Sequence, residues 1–232
     1  MTPLCIIPAR GGSKRFPGKN VAPVKGKPLI AYTIEAALGS GVFREVLVST
    51  DDVYIGRVAA EFGAIVPFMR APEYATDRAR IVDVCLYTLD VLENNGSRYE
   101  SLCVLQPTCP LRTSEDIKAA WELFEKSDAE FLVSVTDFDH PPFWALSCGE
   151  DGSVRPFWGL EFMKRAQELP RMVRPNGAIA LASVKALRSR RSFYGPRLIG
   201  FHMPRVRSLD VDERDDLVLV ECLMNAESKV LQ

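Results

Sequence analysis

The feature that most restricts the fold is a regular exchange of two apolar patterns along the first 137 residues. Short unbroken runs, LCIIP, EVLVST, AIVPFM, SLCVLQPT and FLVSV, are too brief for helices and read as buried strands. Between them lie PLIAYTIEAAL, VYIGRVAAEFG, IVDVCLYTLDVLENNG and SEDIKAAWELFEKS, whose apolar residues recur at helical spacing. Strand and helix alternating in this way imply βαβ units. The expected fold class is α/β, a Rossmann-like, mostly parallel sheet with helices on both faces. Helix punctuation agrees: Gly39 and Gly41 close the first helix, Gly63 the second and Gly96 the third. Asp51-Asp52 and Thr113 or Ser114 supply N-caps.

Past residue 137 the exchange stops. The stretch DFDHPPFWALSCGEDGSVRPFW reads as irregular connections with short antiparallel strands, a protruding arm or interface near 138–160. Ordered chain resumes with NGAIALAS and RLIGFHMP, and a closing helix is expected over about 213–226. At 232 residues and 47% hydrophobic, with no repeat, low-complexity segment or linker, residues 1–232 are expected to form one domain.

Composition excludes several classes of function. A formal net charge of -1 makes the molecule no polycation, so no nucleic-acid partner is expected. No run approaches the roughly 18 apolar residues of a membrane span, and no signal-like segment precedes Arg10. No membrane partner is expected, and the expected location is cytoplasmic. The six cysteines contain no Cys-x-x-Cys pair and suit a reducing compartment. With only His140 and His202, a zinc site has little to draw on.

The local exception to this charge balance is CIIPARGGSKRFPGKN, residues 5–20. Arg10, Lys14, Arg15, Lys19, Lys25 and Lys27 all precede the first acid, Glu35. The loop leaves the carboxyl end of the first strand, where ligands of open parallel sheets gather. Its glycines let backbone N–H groups approach phosphate oxygens, which Arg10 and Lys19 would neutralise. Neither GxxxxGK[ST] nor GxGxxG is present: Ser13 and Asn20 break the first, which weighs against P-loop hydrolysis and hydride transfer. A solvated surface loop is the competing reading.

Three further segments carry polar chemistry. In SLDVDERDDL, Asp210 and Asp212 stand two apart in extended chain, so both carboxylates face one side and suit a hard cation such as Mg²⁺. Alternatively, Asp212 caps the closing helix and Asp210 is solvated. LQPTCPLR sets Gln106 at the carboxyl end of a strand, and VRPNGAI sets Arg174 and Asn176 before another. A guanidinium and amides suit a ligand's carboxylate and hydroxyls, with turn chemistry as the competing use.

Together ARGGSKRFPGKN, STDD, LQPTCPLRT, RPNGAI and SLDVDERDDL resemble the acylneuraminate cytidylyltransferase, or CMP-sialic acid synthetase, family, including its legionaminate and pseudaminate relatives. Order and approximate spacing match over nearly the whole chain. The resemblance implies a homodimer with a dimerisation arm, using CTP and Mg²⁺ to convert a nine-carbon 2-keto sugar acid, a nonulosonic acid, into its CMP-sugar with release of pyrophosphate. It implies that Ala9, Arg10, Gly11, Gly12, Ser13, Lys19, Asn20 and Arg70 surround CTP. Gln106, Gln167, Arg174, Asn176, Phe193 and Tyr194 would meet the sugar, the aromatic pair reaching into the partner's site. Arg10, Lys19, Asp210 and Asp212 would be catalytic, with the two aspartates holding the metal.

Three departures from the family pattern fall on the sugar side. Ala180 stands where a tyrosine is frequent, Asp77-Arg78-Ala79-Arg80-Ile81 replaces small hydroxyl residues, and Arg165-Ala166-Gln167 replaces Arg-Arg-Gln. A more apolar pocket suits pseudaminate or legionaminate, with their terminal methyl, better than N-acetylneuraminate. The rival readings are a 3-deoxy-manno-octulosonate cytidylyltransferase, a sugar-1-phosphate nucleotidyltransferase, and a non-catalytic nucleotide-sugar sensor.

Overall fold

The computed structural model describes residues 2–230, with side chains to 226. The chain runs β1 (Leu4–Pro8), β2 (Pro23–Val24), β3 (Lys27–Pro28), α1 (Leu29–Ser40), β4 (Glu45–Ser49), α2 (Val53–Glu61), α3 (Ile81–Asn94) and β5 (Ser101–Val104). It continues through α4 (Ser114–Glu125), β6 (Phe131–Asp137), β7 (Leu146–Cys148), β8 (Val154–Pro156), β9 (Val173–Ser183), α5 (Val184–Arg190), β10 (Leu198–His202) and α6 (Arg214–Val230). Six strands form the central sheet in the order β10-β6-β9-β5-β1-β4. All neighbours pair parallel except β9, which runs antiparallel to β5 and β6.

The two-residue period of the strands divides their side chains between two cores. Cys5, Ile7, Val46, Val48, Cys103 and Leu105 pack with α1, α2 and α4, while Leu4, Ile6, Leu47, Leu102 and Val104 pack with α3 and α5. Such strands must be apolar on both faces, which is why they appear as unbroken apolar runs in the sequence. The Rossmann-like architecture expected from the alternation is the one observed.

Capping follows local chemistry. The Asp52 carboxylate accepts from the Tyr54 and Ile55 N–H groups, and Thr113 forms a reciprocal capping box with Asp116. Gly41 ends α1 in the left-handed region at φ 65°. Gly39 instead lies inside α1, where a Cβ would sit 2.7 Å from the Ser114 hydroxyl, so it permits close approach of α1 and α4.

Two elements differ from the sequence expectation. AIVPFM forms no strand and makes a single parallel bridge, Ile65 to Leu47, because Pro67 has no N–H to extend the ladder. RPNGAI is no turn before a strand: β9 starts at Val173 and carries this segment through a register shift opposite Val133/Val135, with Gly177 at φ 74°. The stretch expected as an arm folds into the β7/β8 hairpin. Phe143 stacks on Phe162 with centroids 5.0 Å apart, and Phe157, Trp158 and Leu160 stay exposed.

A third, smaller core joins Phe16, Val24, Leu29, Leu111, Val211 and Val220. It anchors the N-terminal loop and the segment before α6 to each other. Cys5, Cys85, Cys103 and Cys109 are buried, and Cys148 and Cys222 are exposed. Burial pushes the Cys85 and Cys109 thiols up to about 12 and raises Cys5 and Cys103 as well. Titration with a disulfide reagent at pH 8 is expected to give two fast thiols and four that react only after denaturation. A third fast thiol in the native protein would contradict this packing.

Candidate active site

Parallel strands β1 and β5 end side by side, and the loops that leave them form one groove. Arg10, Arg15, Lys19, Asp77, Gln106 and Asp212 line it. Phe16 enters the third core and so fixes the loop's middle. Gly11 has no room for a Cβ, which would lie 2.7 Å from the Asp52 carboxylate, and its N–H donates to Asp51 at 3.0 Å. The Asn20 amide donates to the Arg10 carbonyl at 2.9 Å, closing the loop on itself.

Four loop cations are distributed over two acids from distant parts of the chain. Arg10 and Lys14 pair with Asp77 at 2.7 and 2.6 Å, and Arg15 and Lys19 pair with Asp212, both at 3.1 Å. Lys19 also donates to the Val211 carbonyl at 2.7 Å. Hydrogen bonds from Lys14 and Arg10 hold the Asp77 carboxyl below the usual carboxylate range. The groove thus gathers more positive charge than it neutralises, as a polyanion site requires.

Val211 is fully buried between Asp210 and Asp212 and donates its N–H to Thr108 at 2.8 Å. That extended geometry turns the two carboxylates away from the third core, as the two-residue spacing predicts. Asp216, in the first turn of α6, accepts from the Asp212 and Glu213 N–H groups just before the helix, while the Asp212 carboxylate meets Arg15 and Lys19. Solvent reaches Asp210, yet the surrounding protein, and then the Asp212 charge, raise its carboxyl above the ordinary range. No cation lies in ion-pair range of it among the described residues.

Gln106 joins the groove to a second, mainly apolar cavity lined by Ile81, Val133, Ile179, Ala180, Phe193 and Tyr194. A Cβ on Gly177 would lie 3.3 Å from the Gln106 amide nitrogen, so the bulge glycine gives that side chain its space. Arg112, which lies in LQPTCPLRT but is given no role by the sequence, is buried and donates to the Gln106 carbonyl at 3.3 Å and the Ala178 carbonyl at 2.8 Å. It holds the end of β5 and the bulge of β9 together.

Other expected contacts are placed differently. Ala9 is buried and its N–H is committed to Ser49 at 2.9 Å. Ser13 lines the groove, whereas Gly12 is in open space. Arg70 reaches the groove wall, but its guanidinium donates to the Ser49 hydroxyl at 3.0 Å and to the Ser49 carbonyl. Asn176 is 4% exposed and serves the fold: its Oδ1 accepts from the Ser134 hydroxyl and from Ala178 N–H at 3.2 Å, and its Nδ2 donates to Ser208 at 2.8 Å. No hydrogen-bonding group of that amide is left for a sugar.

Arg174 lies opposite Thr136 in the β6/β9 register, outside the cavity lining, and Gln167 stands on a turn beside Pro141 and Pro170. Phe193 and Tyr194 line this chain's own cavity. Lys14 and Arg15, read from the sequence only as loop cations, line the groove too, and the acid that sequence reasoning gives no place there is Asp77. Asp77 is an acid flanked by Arg70, Arg78 and Arg80, and nothing local ties it to Arg10.

The cytidylyltransferase family profile matches residues 4–144. A pseudaminic acid cytidylyltransferase of Campylobacter jejuni is 36% identical over 230 residues, covering 98% of this chain and 99% of that protein. A CMP-N,N'-diacetyllegionaminic acid synthase of Legionella pneumophila is 36% identical over 232 residues, covering 98% of each. A solved CMP-2-keto-3-deoxy-manno-octonic acid synthetase, complexed with CTP, is similar at a TM-score of 0.71 and 19% identity, covering 98% of this chain and 100% of that one.

Proposed function

This chain belongs to the cytidylyltransferase family, and we propose that it transfers CMP from CTP to the anomeric hydroxyl of a nine-carbon 2-keto sugar acid, releasing pyrophosphate. The observation that carries this reading is that the two cavities adjoin. A cationic groove suited to a triphosphate shares Gln106 with an adjoining, mainly apolar pocket that can take the acceptor.

In the reaction the hydroxyl oxygen forms a bond to the α-phosphorus while the bond from that phosphorus to the β-phosphate oxygen breaks, in line. No covalent nucleophile is needed, so the protein's task is placement and stabilisation of charge. Arg10 and Lys19, with Lys14 and Arg15 beside them, hold the β- and γ-phosphates and take up the charge of the departing pyrophosphate. Ser13 and the loop backbone complete the cradle, and Asn20 keeps its shape through Arg10. Arg70 stiffens the wall along which cytidine lies.

Among the described residues no three His, Cys, Asp or Glu side chains form a metal cluster. A cation would therefore be shared between protein and phosphates, the usual mode for Mg²⁺. Asp210 and Asp212 fit it: two hard carboxylates on one side of an extended segment, one of them raised in pKa beside another acid. When bound, Mg²⁺ neutralises phosphate charge and polarises the α-phosphate toward attack.

The apolar cavity favours the sugar class. Ile81 and Ala180, two of the departures from the acylneuraminate pattern, both line it. A wall of this kind suits the methyl terminus and N-acyl groups of pseudaminate or legionaminate better than a glycerol side chain. The exposed aromatics around the β7/β8 hairpin supply a dimer contact within a single nucleotidyltransferase domain. No helix among the described residues is long and apolar enough to cross a membrane.

Pyrophosphate release from CTP and Mg²⁺ tests the reading, with pseudaminate, legionaminate, N-acetylneuraminate and 3-deoxy-manno-octulosonate run in parallel. Turnover is expected with a deoxy nine-carbon acid and CTP, and not with ATP or GTP. Asp212→Asn is expected to lower kcat at least tenfold. Normal turnover by that variant, or release only with the eight-carbon acid, would refute the corresponding assignment.

A further inference from the structure

We infer that Asp77 is the triphosphate loop's own counter-anion, a carboxylate that occupies Arg10 and Lys14 until phosphate displaces it and that thereby limits polyphosphate affinity. The inference rests on the nucleotidyl-transfer reading of the groove and adds a residue that opposes binding.

One carboxylate serves two cations: Asp77 Oδ1 lies 2.7 Å from Arg10 and Oδ2 lies 2.6 Å from Lys14. Each oxygen thus meets a different side chain, as two non-bridging phosphate oxygens would. Asp77 lines the groove together with Arg10, Lys19 and Gln106, so it stands within the space a triphosphate would enter. It is carried by the chain just before α3, whereas the two cations sit on the loop after β1. The pairs therefore cross the groove and tie its two lips together. Asp77 is partly exposed, which keeps each pair weak enough for a multivalent anion to replace. Asp212 engages Arg15 and Lys19 in a similar way, but it belongs to the proposed metal pair; Asp77 has no assignment in the reaction.

Displacement has a definite energetic sign. A triphosphate must break two ion pairs before it makes its own, so removal of the Asp77 charge strengthens binding of phosphates. A carboxylate that positioned Arg10 for catalysis would have the opposite effect on removal. The base and ribose carry no phosphate charge and do not compete for these cations.

Calorimetric titration of the full chain without added divalent cation separates these cases, using sodium tripolyphosphate, CTP and cytidine as probes. Asp77→Asn, which keeps size and removes charge, is expected to bind tripolyphosphate and CTP roughly three- to tenfold more tightly than wild type. The gain is expected to shrink as salt rises, with cytidine binding unchanged. Asp77→Glu restores wild-type affinity. Equal or weaker tripolyphosphate binding by Asp77→Asn, with wild type still binding, overturns the inference. So does a gain for CTP that tripolyphosphate does not share. If wild type binds neither CTP nor tripolyphosphate, the nucleotidyl-transfer reading itself fails and takes the inference with it.

Discussion

Lys19→Ala is expected to lower kcat/KM for CTP by about 10²–10³-fold, the usual consequence of losing a preorganised charged donor where negative charge develops. The Lys19 side chain is only 13% exposed, and its ammonium is held by the Val211 carbonyl and Asp212 rather than by water. A cation fixed in this way needs little reorganisation when pyrophosphate begins to leave. Lys19→Arg is expected to recover little, because a planar fork does not fit a position built for three donors on one nitrogen. Steady-state pyrophosphate release across a CTP concentration series is the measurement. A raised KM with kcat intact would assign Lys19 to ground-state binding alone.

Asn176→Ala is expected to act on stability more than on sugar recognition. The substitution removes the acceptor of the Ala178 N–H and the Ser134 hydroxyl, and the donor to Ser208, in a site that is 4% exposed. Breaking a buried network of this kind costs about 2–4 kcal/mol. For a chain of this size that corresponds to a fall in Tm of roughly 5–15 °C. Calorimetry decides the matter together with the KM for the sugar acid. An unchanged Tm with a raised sugar KM would restore the direct sugar contact that the RPNGAI resemblance implies.

The difference between these two residues shows how far the site was legible in the sequence. Lys19 stands in a loop whose charge is anomalous for the chain, and a loop that leaves a β-strand's carboxyl end has a known place in the fold. Asn176 stands in an Asn-Gly pair, which reads as a turn or as a ligand contact, but the chain carries it through a bulge inside β9. A bulge exists only because β6 is beside it, and nothing in residues 173–179 announces that neighbour. The same holds for AIVPFM, whose apolar content matches a strand but whose place at the sheet margin, with Pro67 inside it, leaves one bridge to Leu47.

The sequence by itself determined the alternation of strand and helix, the division of strand side chains between two cores, the caps at Asp52 and Thr113, and the position of the cationic loop. Each of these depends on periodicity or on groups a few residues apart, where steric and hydrogen-bonding rules act without knowledge of the remaining chain. Only the tertiary structure decided that Lys19 meets Asp212, 193 residues away, that Asp77 closes on Arg10 and Lys14, and that Gln106 stands between a cationic groove and an apolar cavity. Coulomb attraction and hydrogen bonding act over a few ångströms of space, and the path of the folded chain sets which distant residues come within that range.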